Sequence, residues 1–296
     1  MEHWRMTEPP GGPFQAETRE VKTGIPYSVS LTSLFNPGAD RPFFPRRPRS
    51  LEALAAEISR LAYCRFDGGG REIETALTSV RFALEARPYD DGNTQAFIAS
   101  SRHLRVLTFR GSDDLRAWQT NLKARPVGWA GPGLVHEGFA EAFEKCWTEL
   151  RPALHSREDR RPVVVTGHSL GGALATLAAS RLDGCLLYSF GAPRVGDRSF
   201  ARALDRCNSH LHRYVNYRDP VPLLPPALFG YSHCGKAYYI NKDGRVVATP
   251  PPRRSDQERN MRGLLDRLMA TLREPNGHVR NDLTDHAPVN YSSALS

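Results

Sequence analysis

Pro162-Val163-Val164-Val165-Thr166-Gly167-His168-Ser169-Leu170-Gly171-Gly172-Ala173 is the stretch that decides the fold. Its three consecutive valines predict a buried β-strand, because β-branched side chains pack well on a pleated surface. A Gly-x-Ser-x-Gly turn follows at once. Ala173, Leu174, Ala175, Leu177, Ala178 and Ala179 then predict a closely packed helix. Strand, sharp turn and helix place one serine at the tip of an elbow, with its hydroxyl exposed above the sheet. Side chains at Gly167 and Gly171 would crowd so tight a turn, and glycine relieves that crowding. Gly172 and the alanines let the helix lie close to the sheet. The helix N-terminus aims backbone N–H groups at the serine, which suits a developing oxyanion. The competing reading, a glycine-rich turn with a solvated serine, is disfavoured by the strand and helix that flank it.

The rest of the chain is consistent with a globular α/β protein. Its 296 residues suit one large domain or two small ones. No run of eighteen apolar residues occurs, so no transmembrane helix is expected. Met1 to Pro13 is polar and proline-rich, without the apolar core of a secretory leader. A cytoplasmic location is therefore the default expectation, with secretion by another route left open. Cys64, Cys146, Cys185, Cys207 and Cys234 form no C-x-x-C pair. Metal-ligand spacing is missing, and the odd count leaves at least one free thiol. No metal or organic cofactor is expected. The net charge of +8 is carried almost wholly by dispersed arginines, with no basic stripe. A nucleic-acid partner is not expected, and attraction to anionic lipid is a minor possibility.

Along the chain, residues 1–50 read as a proline-rich extension and residues 51–296 as the catalytic domain. Tyr27 to Leu31 alternates weakly, as an edge strand would. Ser50 caps an amphipathic helix carrying Leu51, Leu54, Ala55, Ile58, Leu61 and Ala62. Strands are predicted near 79–84 and 94–99, at Leu104 to Phe109, at Cys185 to Phe190 and at Leu211 to Tyr217. A hairpin is expected from Ala237–Ile240 and Arg245–Ala248. Ser255 and Glu258 form a capping box for a further helix over 255–273. Strands alternating with helices predict a mainly parallel central sheet with helices on both faces.

A serine hydroxyl needs a histidine to take its proton and a carboxylate to orient that histidine. In α/β-hydrolases the chain order is Ser, then Asp or Glu, then His. Asp219 directly follows the strand ending at Tyr217, where catalytic acids of parallel sheets sit. Its rival role is a turn-forming Asp-Pro, and Asp197 is the runner-up acid. His233, His278 and His286 all lie downstream, and spacing alone leaves His286 only slightly ahead. His168 is too close to the serine to serve as its base.

Several blocks together are more specific. Val163 to Gly172, Phe109-Arg110-Gly111-Ser112, Val135-His136-Glu137-Gly138-Phe139, Gly191-Ala192-Pro193-Arg194-Val195-Gly196, Asp219-Pro220-Val221-Pro222 and Asp285-His286 resemble the class 3 (fungal-type) lipases, in that family's order. The resemblance spans roughly residues 50 to 290. It implies an α/β-hydrolase fold and a triad of Ser169, Asp219 and His286. It also implies an oxyanion hole from Ser112 and the Leu170 amide. Between the Arg-Gly-Ser and His-x-Gly-Phe blocks the family places a lid, and Leu115, Trp118 and Leu122 here share one helical face. The alternative is a surface helix packed on the core.

The activity implied by the resemblance is that of a serine hydrolase cleaving the carboxylic esters of acylglycerols through an acyl-enzyme, with transient contact to a lipid interface. Phospholipase A1 and short-chain or feruloyl-type esterase activities use the same machinery. Asp113 and Asp114 make the lid segment more polar than a strongly interfacial one, which leaves a soluble-ester esterase open. A non-catalytic binding module on the same fold is the rival of another class. Acyl length and oligomeric state are not legible.

Overall fold

The structure, a computed structural model, describes residues 41–64, 66, 70–111, 125–155, 159–248 and 285–296. The expected edge strand at 27–31, Ser112, the lid positions Leu115, Trp118 and Leu122, His278 and the expected helix at 255–273 lie outside the described residues. The chain runs through α1 (Leu51–Leu61), α2 (Arg71–Ser79), β1 (Ala83–Leu84), β2 (Tyr89–Asp90), β3 (Gln95–Ser100), β4 (Arg105–Phe109), β5 (Pro126–Gly128), β6 (Leu134–His136) and α3 (Glu137–Leu154). It continues through β7 (Val163–His168), α4 (Leu170–Ala179), β8 (Leu186–Phe190), β9 (Gly196–Asp197), α5 (Arg198–Cys207), β10 (Leu211–Asn216), β11 (Tyr231–Ser232), β12 (Lys236–Ile240), β13 (Val246–Val247) and α6 (Pro288–Ala294).

The main sheet has nine strands in the order β1-β3-β4-β7-β8-β10-β12-β13, with β2 paired to β3. Its middle is parallel, from β4 through β7, β8 and β10 to β12. Only the edges are antiparallel. Successive side chains of a strand point to opposite faces, and here both faces are buried. Ala96, Ile98, Leu107, Phe109 and Val165 enter one core with α3 and α4. Phe97, Ala99, Val106, Val164 and Phe190 enter a second core with α1 and with Tyr291 of α6. This two-sided burial explains why the valines of β7 run without a polar alternate.

Ser50 caps α1 as expected, its hydroxyl accepting the Ala53 N–H at 3.3 Å. Near the end of α1, Arg60 is fully buried. It pairs with Glu57 at 2.7 Å and donates to the carbonyls of Arg41 and Pro42 at 2.9 and 2.8 Å. Arg41 in turn bonds Glu57 and, at 2.6 Å, the Ser293 hydroxyl of α6. The chain entering α1 is thereby tied to the C-terminal helix. Removing one partner of a buried pair costs about 3–5 kcal/mol, so this cluster is a strong local constraint.

Three features differ from expectation. Of the strand expected near 79–84 only Ala83–Leu84 is extended, as β1; Ser79 ends α2, whose Ile73 and Leu77 are buried four residues apart. Arg81, at φ +64°, turns the chain into the short β1. Helix α3 is not among the expected elements, although Phe139, Phe143, Trp147, Leu150 and Leu154 repeat at helical spacing and are buried. A second, antiparallel sheet of four strands, β11-β9-β6-β5, was also unforeseen. Its strands are two or three residues long, too short to show a period.

Helix α4 follows β7 after a single residue, and glycines permit the approach. A Cβ on Gly167 would lie 2.2 Å from the Gly171 carbonyl oxygen, and one on Gly171 would lie 2.1 Å from the Phe109 carbonyl oxygen. A Cβ on Gly172 would lie 2.7 Å from the Ala192 Cβ. Gly171→Ala must push main chain against main chain, so we expect a loss of about 1–3 kcal/mol. Urea denaturation measures it, and an unchanged midpoint would show that β4 and α4 do not approach this closely.

Candidate active site

Ser169 occupies the one residue between β7 and α4, with φ +56° and ψ −127°. Few L-residues adopt such angles, and they cost on the order of 1–3 kcal/mol. The surroundings hold the conformation. Ser169 N–H donates to the Phe190 carbonyl at 2.9 Å, and the Ser169 carbonyl accepts the N–H of Gly172 at 3.0 Å. Leu170 opens α4, so its N–H belongs to the first turn, which has no intrahelical acceptor. Contrary to the expected exposure, Ser169 is buried, and its hydroxyl faces His286.

Asp219 lies three residues past β10 and is fully buried. Its Oδ1 accepts the Val221 N–H at 2.9 Å. Its Oδ2 accepts from His286 Nδ1 at 2.8 Å and from the Tyr291 hydroxyl. An ionised carboxylate only accepts, so Nδ1 of His286 carries the proton and Nε2 is left to accept. Nε2 lies 2.9 Å from Ser169 Oγ. Serine, imidazole and carboxylate thus form one buried chain of hydrogen bonds.

The loop that presents His286 is anchored beside β10. The Asn216 side chain donates to the Asp285 carbonyl at 2.9 Å, and Arg218 N–H donates to the Asp285 carboxylate at 3.2 Å. The Asn216 N–H donates to the Tyr291 hydroxyl at 2.9 Å, which frees the phenolic proton for Asp219. Gly191 allows this cluster to close: at φ +58°, its Cβ would lie 2.7 Å from Asp219 Oδ2. Arg194 is buried and donates to the carbonyls of Leu223 and Pro225, which holds the loop after Asp219.

The rival candidates have other partners. Asp197 caps α5, accepting the Phe200 N–H at 2.8 Å. His233 Nε2 bonds the Pro222 carbonyl at 2.7 Å. Tyr63 and Tyr291 belong to the site although no sequence pattern pointed to them, and Gly191 entered only as part of a family block. A tyrosine five residues after His286, on a helix opened by Pro288, is the only trace Tyr291 leaves there. Among the described residues no cluster of His, Cys, Asp or Glu is arranged to hold a metal ion.

Comparison with known proteins places the chain in a family. Residues 106–229 match the family model described as lipase (class 3). The secreted mono- and diacylglycerol lipase 1 of Fusarium solani is 40% identical over 146 residues, which cover 46% of this chain and 44% of that protein. A lipase of Rhizomucor miehei is 37% identical over 164 residues, 51% of this chain and 45% of that protein. The chain therefore spans less than half the length of these curated relatives. A solved structure of Rhizomucor miehei triacylglyceride lipase superposes with a TM-score of 0.57 at 30% identity, covering 67% of this chain and 83% of that one. The Fusarium relative is named as secreted, which overturns the cytoplasmic default. That default rested on a missing leader, and a leader is a cleavable segment apart from the folded domain, so it carries no weight on compartment. With a mainly parallel sheet flanked by helices and the serine elbow at its centre, the chain has the α/β-hydrolase fold and belongs to the class 3 lipase family.

Proposed function

We propose that this chain is a secreted serine hydrolase that cleaves carboxylic esters of acylglycerols. The observation that carries this reading is the buried hydrogen-bond chain from Ser169 through His286 to Asp219, set on a strained elbow. In the proposed reaction His286 Nε2 takes the Ser169 proton as Oγ attacks the ester carbonyl. The tetrahedral oxyanion is held by the Leu170 amide, with Ser112 as the second donor. The imidazolium then protonates the leaving alcohol, forming the acyl-enzyme, and a water activated by the same imidazole releases the fatty acid. Asp219 keeps the productive tautomer and stabilises the imidazolium. Each oxyanion donor contributes about 3 kcal/mol of transition-state stabilisation. The catalytic unit runs over residues 51–296, with 1–50 as an extension, and Leu115, Trp118 and Leu122 form the apolar face of a lid that meets lipid.

Acylglycerols are favoured because the Fusarium relative is named as a mono- and diacylglycerol lipase and the Rhizomucor structure as a triacylglyceride lipase. The polar pair Asp113 and Asp114 at the start of the lid segment favours a second reading, an esterase of soluble esters.

A fluorophosphonate is expected to label Ser169 and abolish activity; labelling at another residue, read by peptide mass spectrometry, would refute the assignment. Asp219→Asn should lower kcat about 10⁴-fold, because the amide favours the wrong imidazole tautomer. Tyr291→Phe removes the second donor to Asp219 Oδ2 and the acceptor of the Asn216 N–H. It should lower kcat about tenfold, equivalent to about 1.4 kcal/mol, at unchanged KM. A Tyr291→Phe enzyme with wild-type kcat would mean that Asp219 is held without the phenol. Rates on p-nitrophenyl esters of rising chain length, with triolein, separate the two substrate readings. A sharp rise beyond substrate solubility marks a lipase, and its absence an esterase.

A further inference from the structure

Behind the elbow is a second buried histidine that the reaction above does not use. His168, adjacent to Ser169, stacks against the His286 ring with centroids 4.5 Å apart. Its Nε2 lies 2.6 Å from the main-chain carbonyl of His286, and its Nδ1 lies 2.7 Å from the Tyr63 hydroxyl. All three residues are buried.

The partners dictate the protons. A carbonyl only accepts, so His168 Nε2 must carry hydrogen. Burial, and secondarily the neighbouring His286, hold His168 well below its ordinary value of 6.5, so the ring is neutral. Nδ1 is then an acceptor and Tyr63 the donor. The Tyr63 hydroxyl is itself confined, since a Cβ on Gly111 would fall 1.9 Å from it. Gly111 adjoins Ser112, so this one hydroxyl lies against the chain that leads to the proposed oxyanion donor. The bonds close a circuit in which the imidazole of His286 touches Ser169, its carbonyl is held by His168, and His168 is covalently joined to Ser169.

We propose that His168 and Tyr63 are positioning residues for the base: the Tyr63 hydroxyl sets the His168 ring, and His168 Nε2–H holds the main chain of His286 so that its imidazole stays on Ser169. This rests on the reading of His286 as base. The carbonyl lies on the same residue as the imidazole, so its capture restricts the plane from which the side chain projects. The lever is geometric, since misplacing a reacting group by about 1 Å can cost about 100-fold in rate.

The test uses the two halves of the ring separately. His168→Gln keeps a donor nitrogen near the place of Nε2. His168→Asn keeps an acceptor near the place of Nδ1 but has no donor that reaches His286. Tyr63→Phe removes only the hydroxyl. For each variant, kcat and KM on p-nitrophenyl butyrate are measured with the rate of fluorophosphonate labelling of Ser169 and the melting temperature. The Asn variant should lose about 10- to 100-fold in kcat and labelling rate with KM within about twofold. The Gln variant should recover to within about threefold of wild type, and the Phe variant should fall between. Equal rates for the Asn and Gln variants would overturn the inference. So would wild-type labelling by Tyr63→Phe, which remains decisive if the His168 variants do not fold. A wild-type protein that is not labelled at Ser169 would instead overturn the hydrolase reading, and this inference with it.

Discussion

The structure turns on a main-chain crossing that leaves no room for side chains. Gly167, at the end of β7, meets Gly171, in the first turn of α4, while Gly171 meets the last carbonyl of β4. This contact forces the chain from strand to helix across Ser169 alone and puts that residue at φ +56°. The strain is sustained because β7 is paired on both sides, to β4 and to β8. Helix α4 adds to this support, since its nine residues from Gly171 to Ala179 are all buried. A less constrained turn would relax to ordinary angles and swing the hydroxyl away from His286.

The remaining partners reach Ser169 from loops rather than from the sheet itself. Those loops are held chiefly by bonds to main-chain atoms. Arg194 grips the carbonyls after Asp219, Asn216 grips that of Asp285, and His168 grips that of His286. Bonds of this kind act on a loop's path, whatever its own side chains are. They let the Asp219 loop and the C-terminal segment be irregular and still deliver two side chains to within hydrogen-bond distance. Tyr291 adds a buried donor on the carboxylate that orients the imidazole. The cluster at Arg60 and Glu57 ties α6, which carries Tyr291, to the chain entering α1.

The elbow, the parallel strands and the cap at Ser50 were legible because each depends on neighbours a few residues away. Helix α3 is equally local in origin, its phenylalanines and Trp147 standing at helical spacing. The two-residue strands of the small sheet were not legible, for a pair of residues shows no period. Asp197 and His233 were credible members of a catalytic set until their bonds to Phe200 and Pro222 were seen. The cytoplasmic reading erred for another reason, since it drew on a missing leader, which carries no weight on compartment.

By itself the sequence determined the strand–serine–helix elbow, the glycines it requires and the order of serine, aspartate and histidine along the chain. These are matters of local spacing and of what a backbone without Cβ can do. Only the tertiary structure decided which histidine lies against Ser169, and that His168, Tyr63 and Tyr291 close around the pair. The hydrogen bonds among them join residues as far as 118 positions apart. Their distances depend on how the parallel sheet orders its strands and on where the loops between them are tied, which no local pattern encodes.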